Sequence, residues 1–348
     1  MRILVLLALA VSACAQDAFV FAGNSVAPGT RLDVDLPVAE MGDGGTVIPV
    51  SVLHGAKPGP VLAITCGVHG FEFIPILAAQ QLLTQLDPKQ LSGTLILVRL
   101  AHVPAFLKRT IFFNPNDGKN LNRVFPGSPT GTQSARIAFA ISREVIERAD
   151  LHIDMHGGDG TESLVNFAGT YGGKLAEAQY EKSRELGMAF GLPVIVEYQM
   201  DNWDQVNTGR SCNRQAVAAG KPTLLVEIGE MGKRDPALVD LAVRGMLNVL
   251  KSQKMLPGAP MLNKRMPAQF VGSASASSKF DGIWYPKLNA GATVKKGELV
   301  GTVKDFAGKD LEEIAAPEEG MILYMLSAPP VNAGQSVVTV ARPRRAVR

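Results

Sequence analysis

The order of apolar patterns predicts an α/β domain built on a mostly parallel sheet, followed by a small all-β module. Three observations carry this reading. Between residues 60 and 250, short apolar runs alternate with amphipathic stretches at helical spacing. Gly, Pro, Asn or Asp punctuates most of the changes between them. Beyond residue 278 only short strands and turns remain.

The 348 residues, 46% hydrophobic and 19% charged, suffice for one large domain and a small one and exclude a disordered chain. A formal charge of +3 gives no footing for nucleic-acid binding.

In chain order, residues 1–15 read as an export signal: Arg2, an apolar run too short to span a bilayer, then small residues. Ala13-Cys14-Ala15 fits cleavage before Gln16. The overlapping Val11-Ser12-Ala13-Cys14 resembles a bacterial lipobox, which would leave Cys14 lipidated at the membrane. Both predict an exported protein, periplasmic or membrane-anchored. Residues 16–255 are expected to form the main domain. Residues 31–36 and 46–52 alternate like entry strands, and His54 beyond them reads as a turn or surface histidine. Strand 61–64, helix 74–86 and strand 94–100 follow, then helix 133–148, strand 151–155, helix 174–191 and strands 193–197 and 223–228. Asp235-Pro236 supplies a cap and a proline at the first position of a helix running through 238–250.

Residues 256–278 are rich in Pro, Gly, Ser, Ala and Lys and read as a linker. The module, residues 279–342, has turns resembling a biotinyl/lipoyl-type barrel. Its candidate tip around Lys309 lacks the flanking Met pattern, so a structural or access-shaping role is expected. Residues 343–348 form a basic tail, expected to be frayed and solvated. Cys66 and Cys212 are expected to be separate buried thiols.

The chemistry centres on Thr65-Cys66-Gly67-Val68-His69-Gly70-Phe71-Glu72. His69 and Glu72 stand at a strand-to-helix corner, and an imidazole and a carboxylate converging there suit a divalent metal, most naturally Zn²⁺. In Leu151-His152-Ile153-Asp154-Met155-His156, alternate side chains share one face of a strand. His156, nearest the C-terminal end, fits a third ligand. Asp154 suits a carboxylate that orients a metal-bound imidazole, and His152 reads as a core histidine. His, Glu and His with an open fourth position is the pattern of a hydrolytic zinc. Glu227, a carboxylate inside the apolar strand 223–228, is the expected general base; Glu230 reads as a loop acid. Asn122-Arg123 supplies an amide and a guanidinium suited to gripping a carboxylate, and Arg109 is a candidate to stabilise an oxyanion.

His69-Gly70-x-Glu72, the run Asp117-Gly118-Lys119-Asn120-Leu121-Asn122-Arg123-x-Phe125-Pro126-Gly127, Ile153-Asp154-x-His156 and Val226-Glu227-x-Gly229 occur in one order. The set resembles the succinylglutamate desuccinylase/aspartoacylase family, which is similar to the zinc carboxypeptidases, over about residues 45 to 342. The resemblance implies a zinc-carboxypeptidase-like domain and a single zinc per chain held by His69, Glu72 and His156. It also implies Glu227 as base, Asn122 and Arg123 on a substrate carboxylate, and Arg109 near the scissile carbonyl. The chain departs at Asn120, where many members carry Asp, and at Phe71, where a polar residue is common. The expected activity is zinc-dependent cleavage of the amide of an N-acyl amino acid or similar small carboxylate-bearing substrate. A carboxypeptidase-like peptidase acting on exported or cell-wall peptides, and a non-catalytic ligand-binding lipoprotein, are the alternatives.

Overall fold

The computed structural model describes residues 16–207 and 210–344. The export signal, with Cys14, and the last four residues of the basic tail lie outside them. Among the described residues no helix is long and apolar enough to cross a membrane.

A sheet of 13 strands among the described residues runs through the molecule. Its centre is parallel: Ser92–Val98, Lys57–Cys66, Leu151–His156 and Thr223–Glu227 lie side by side in that order. Phe167–Gly172 joins antiparallel to Thr223–Glu227, and Val194–Gln199 runs parallel to both Phe167–Gly172 and Ala268–Ser277. Thr30–Val38 and Thr46–His54 close one flank antiparallel. Helices cover both faces of the centre. Phe73–Leu83, Tyr180–Phe190 and Pro236–Ser252 bury Leu82, Leu186 and Met246 against Leu62 and Ile64. Gln133–Ile141, prolonged by a π turn to Ile146, and Cys212–Ala218 cover the other face around Ala63 and Ile96. Each fully buried Leu or Ile contributes roughly 1.5–3 kcal/mol, and both faces of these strands are covered. That explains why the central strands read as continuous apolar runs rather than alternating ones.

The structure differs from the sequence expectation at several places. Residues 268–277, within the expected linker, form a strand of the main sheet. It pairs with Val194–Gln199 on one side and antiparallel with Ser336–Pro343 on the other. Its Gly, Ser and Ala residues are mostly half-buried or exposed and carry no apolar alternation. His54 is buried, with Nδ1 2.8 Å from Thr94 Oγ1 and Nε2 2.9 Å from the Asp17 carbonyl. The helix expected over 174–191 begins only at Tyr180, because Leu175 is drawn aside to donate its N–H to the Met200 carbonyl. The start of the basic tail is held: Arg342 pairs with Glu318 at 2.8 Å and Arg344 with Glu197 at 2.9 Å. Cys66 and Cys212 are buried and unbridged.

In the C-terminal region, a four-stranded sheet of Asp310–Ala315, Leu299–Lys304, Gly282–Pro286 and Pro330–Val331 faces the far flank of the main sheet. Trp284 fills the space between them and donates its indole N–H to the Leu326 carbonyl at 3.0 Å. Ser336–Pro343, Gly320–Leu326 and Thr293–Val294 therefore belong both to this module and to the main sheet. Leu326 in turn pairs with Glu162 of the short strand Glu162–Leu164, which fixes the module over the C-terminal ends of the central strands.

Candidate active site

The corner after Lys57–Cys66 is tight. Gly67 adopts a positive φ of 70°. A side chain at Gly70 would meet the Phe106 backbone nitrogen at 2.2 Å, so only glycine lets this loop close on its neighbour. Glu72 holds the N-cap position of the following helix yet makes no side-chain cap bond. Its carboxylate turns to the two histidines instead: Oε1 lies 2.6 Å from His69 Nδ1 and Oε2 2.9 Å from His156 Nδ1. The three donor sets lie within 4.8 Å of one another.

The outer nitrogens of both rings are also engaged. His69 Nε2 lies 3.2 Å from Asn120 Oδ1, an atom that also accepts the Asn122 N–H at 2.8 Å. Asn120 thus steadies the His69 ring from behind. His156 Nε2 lies 3.1 Å from Asp154 Oδ2, on a carboxylate with no solvent exposure. Burial opposes charge on Glu72, but His69 and His156 outweigh it and hold the carboxyl at about 2. Burial likewise opposes a proton on His156, yet Asp154 and Glu72 raise it well above the usual imidazole range. The field at this point calls for positive charge. Two imidazole nitrogens, each ring backed from behind, and a carboxylate suit a divalent cation and zinc in particular.

A cavity of about 700 Å³ opens beside these residues. Glu227, the last residue of its strand, lines it. Burial pushes the Glu227 carboxyl up to about 8; Glu72 adds to this, while His156 and the Tyr324 phenol oppose it. Strand Leu151–His156 approaches the loop after Glu227 so closely that a side chain at Gly157 would meet the Ile228 carbonyl at 2.2 Å. Asn122 and Arg123 also line the cavity. Asn122 Oδ1 accepts the Cys212 N–H at 2.9 Å, which leaves its NH₂ donors for a ligand. Burial lowers the Arg123 pKa, and the neighbouring Arg214 lowers it further.

The structure thus brings His69, Glu72, His156, Asp154, Glu227, Asn122 and Arg123 to one place, while Arg109 is a correction. Arg109 caps the short helix Val103–Lys108 in the left-handed conformation, φ 53°, and is exposed outside the cavity wall. Arg214 supplies the second guanidinium instead. It lies on the seven-residue helix Cys212–Ala218, too short for its period to stand out, and nothing in its spacing marks it. Tyr324 and Glu162 were likewise missed: one comes from the C-terminal module and the other from a three-residue strand. His152 is a core histidine as expected, fully buried and 3.0 Å from Thr65 Oγ1. The module lines much of the cavity through Tyr324, Met325, Leu326 and residues 335–339, with Ser275 beside them on Ala268–Ser277.

An open cavity lined by a buried carboxylate, a cation-ready donor set and an Asn–Arg pair fits an amide hydrolase. Residues 58–253 match the succinylglutamate desuccinylase/aspartoacylase catalytic domain, and the chain belongs to that family. It is 29% identical over 319 residues to N-alpha-acetyl-L-2,4-diaminobutyric acid deacetylase of Halomonas elongata, covering 88% of this chain and 89% of the other. A succinylglutamate desuccinylase/aspartoacylase structure from Rhodobacter sphaeroides superposes with a TM-score of 0.79 at 24% identity, over 90% of this chain and 96% of that one. The product-bound ectoine utilization protein EutE (DoeB) from Ruegeria pomeroyi gives 0.78 at 25% identity, over 90% and 95%.

Proposed function

We propose that the protein is a zinc-dependent deacylase of N-acyl amino acids. The observation that carries this is the convergence of His69 Nδ1, Glu72 and His156 Nδ1 at a cavity also lined by the buried carboxylate of Glu227 and by Asn122 and Arg123. His69, Glu72 and His156 would hold the zinc. When bound, the zinc makes water more acidic and polarises a carbonyl. Asn122 and Arg123 grip the substrate carboxylate through charge-assisted hydrogen bonds, which sets the amide near Glu227. Glu227 takes a proton from the water as its oxygen adds to the carbonyl carbon. It then returns that proton to the nitrogen as the C–N bond breaks, releasing a carboxylic acid and an amine. Positive charge at the donor set favours the ionised form of Glu227 that this step needs. Arg214 faces the same cavity and is suited to balance the oxyanion, the role expected of Arg109.

The similarity to the diaminobutyrate deacetylase supports a small N-acyl amino acid over a peptide. The C-terminal module supports it too, because its strands wall the cavity. Hydrolysis of a panel of acetyl, succinyl and longer-chain acyl amino acids against peptides with free C-termini, using zinc-loaded protein, tests the reading. Release of free amino acid from the acyl compounds is expected; exclusive release of C-terminal residues from peptides would replace it with the peptidase. We further propose export on the pattern of residues 2–15, with Cys14 lipidated. Loss of membrane association in Cys14→Ser checks the lipid, and cytoplasmic recovery of the wild-type chain would contradict export.

A further inference from the structure

A second cavity, of about 510 Å³, lies at the opposite ends of the central strands from the donor set. Lys57, Lys89, Lys251 and Lys254 line it. No acid lines it, and none of the four ammonium groups forms an ion pair or a hydrogen bond among the described residues. Lys57 opens the strand Lys57–Cys66, whose far end, about 30 Å away, leads to His69. Lys251 stands in the last turn of Pro236–Ser252. Lys254 follows at φ 58°, a position where glycine is the usual residue. The segments that carry the lysines are tied together. The Ala56 N–H donates to the Pro88 carbonyl at 3.2 Å, and the Ser92 N–H to the Met255 carbonyl at 2.9 Å. Acids on the adjoining segments are engaged by their own neighbours. Asp87 Oδ1 accepts the Lys89 backbone N–H at 3.0 Å, and Glu185 meets Lys182 at 2.6 Å and accepts from Gln253 at 2.8 Å. Four like charges held around one hollow repel one another and attract an anion.

Two further features share this end of the molecule. The segment after Gly258, which lines the cavity, exposes Met261, Leu262 and Met266, with Lys264 and Arg265 among them. Asn248, one helical turn before Lys251, holds the Met261 N–H and carbonyl at 2.7 and 3.0 Å. Exposed apolar side chains among bases suit the headgroup layer of a membrane. The N-terminal segment also arrives here. The Asp17 carbonyl lies 2.9 Å from His54 Nε2, and only Gly55 and Ala56 separate His54 from Lys57. Cys14, proposed above to carry lipid, is three residues before Asp17, no more than about 11 Å of chain. We propose that this face docks on an anionic phospholipid membrane. The four lysines, with Lys264 and Arg265, meet the phosphate headgroups, and Met261, Leu262 and Met266 enter the headgroup layer. The donor set, at the far ends of the strands, stays clear of the lipid. The proposal goes beyond the deacylase reading and takes from the export reading only that a membrane is within reach.

The test is co-sedimentation of the processed chain beginning at Gln16, which keeps every described residue and carries no lipid. The vesicles are phosphatidylcholine alone and phosphatidylcholine mixed with phosphatidylglycerol. Binding to the mixed vesicles alone, falling as sodium chloride is raised, is expected. Each lysine at an anionic surface contributes about fivefold, so changing Lys57, Lys89, Lys251 and Lys254 together to Gln should cut partitioning by roughly 100–600-fold. Changing Lys287, Lys295, Lys296 and Lys309, four exposed lysines of the C-terminal module, should leave it nearly unchanged. Leu262→Asp should weaken it as well, and a wild-type melting temperature shows that each variant is folded. No loss in the cavity set or in Leu262→Asp, equal loss in both lysine sets, or equal binding to phosphatidylcholine alone overturns the proposal. So does displacement by sodium phosphate beyond that by sodium chloride at the same ionic strength, which would make the cavity a site for a soluble phosphate. Recovery of the wild-type chain from the cytoplasm would remove the export reading, while the vesicles still decide this one.

Discussion

The Tyr324 phenol, carried on Gly320–Leu326 of the C-terminal module, lies against the carboxylate of Glu227 at the end of a central strand. Two parts of the chain nearly 100 residues apart therefore meet at one buried carboxylate. In the proposed mechanism the module therefore bears on the chemistry as well as walling the cavity.

The contact predicts a shifted pH dependence. Tyr324 holds the Glu227 carboxyl down against burial. Removing the hydroxyl should raise the pKa of Glu227, so Tyr324→Phe should move the acidic limb of the kcat/KM profile to higher pH. Loss of one hydrogen bond to a charged group should also reduce kcat/KM by about tenfold or somewhat more at neutral pH. A profile of unchanged position would break the link between the module and the base.

The two imidazoles of the donor set are backed unequally. His156 leans on the buried carboxylate of Asp154, and His69 on the neutral amide of Asn120. Asp154→Asn should weaken zinc binding by about 10–100-fold, as loss of an orienting carboxylate does elsewhere. Asn120→Ala should weaken it less, and Asn120→Asp should strengthen it. Chelator competition on each variant gives the order directly.

These relationships divide cleanly by how local they are. His69, Glu72, Asp154, His156 and Glu227 were legible because each lies at or beside the end of an apolar central strand, where period and position coincide. Asn122 and Arg123 were legible as an adjacent pair in a glycine-marked loop. Arg214, Glu162 and Tyr324 were not, because what places them is tertiary: a seven-residue helix, a three-residue strand and a neighbouring module. Arg109 was misplaced for the complementary reason. Its sequence neighbourhood carries no sign that it caps a helix and points to solvent. The strand Ala268–Ser277 was hidden because its small, half-buried residues carry no apolar alternation, and its place comes from pairing with distant strands.

Stability should depend on an ion pair remote from the cavity. Arg136 is buried and donates to Asp43 Oδ1 at 2.8 Å, and to the Gly131 and Gly44 carbonyls. The Arg136 hydrogen bond lowers the Asp43 pKa against burial. A carboxylate depressed in the folded state stabilises fully above its unfolded pKa, near 3.8, and loses that contribution as pH falls through the folded value. Asp43→Ala should cost about 1–3 kcal/mol at neutral pH, since the two carbonyls still hold Arg136. The difference from wild type in urea unfolding should shrink below that pH.

The most direct test of the account is Glu227→Gln, measured for zinc content and for turnover of an N-acyl amino acid on the same preparation. The account predicts wild-type zinc, because His69, Glu72 and His156 are untouched, with kcat reduced by about 10²–10⁴-fold. Normal turnover with zinc bound, or a wild-type protein that takes up no zinc, would contradict it.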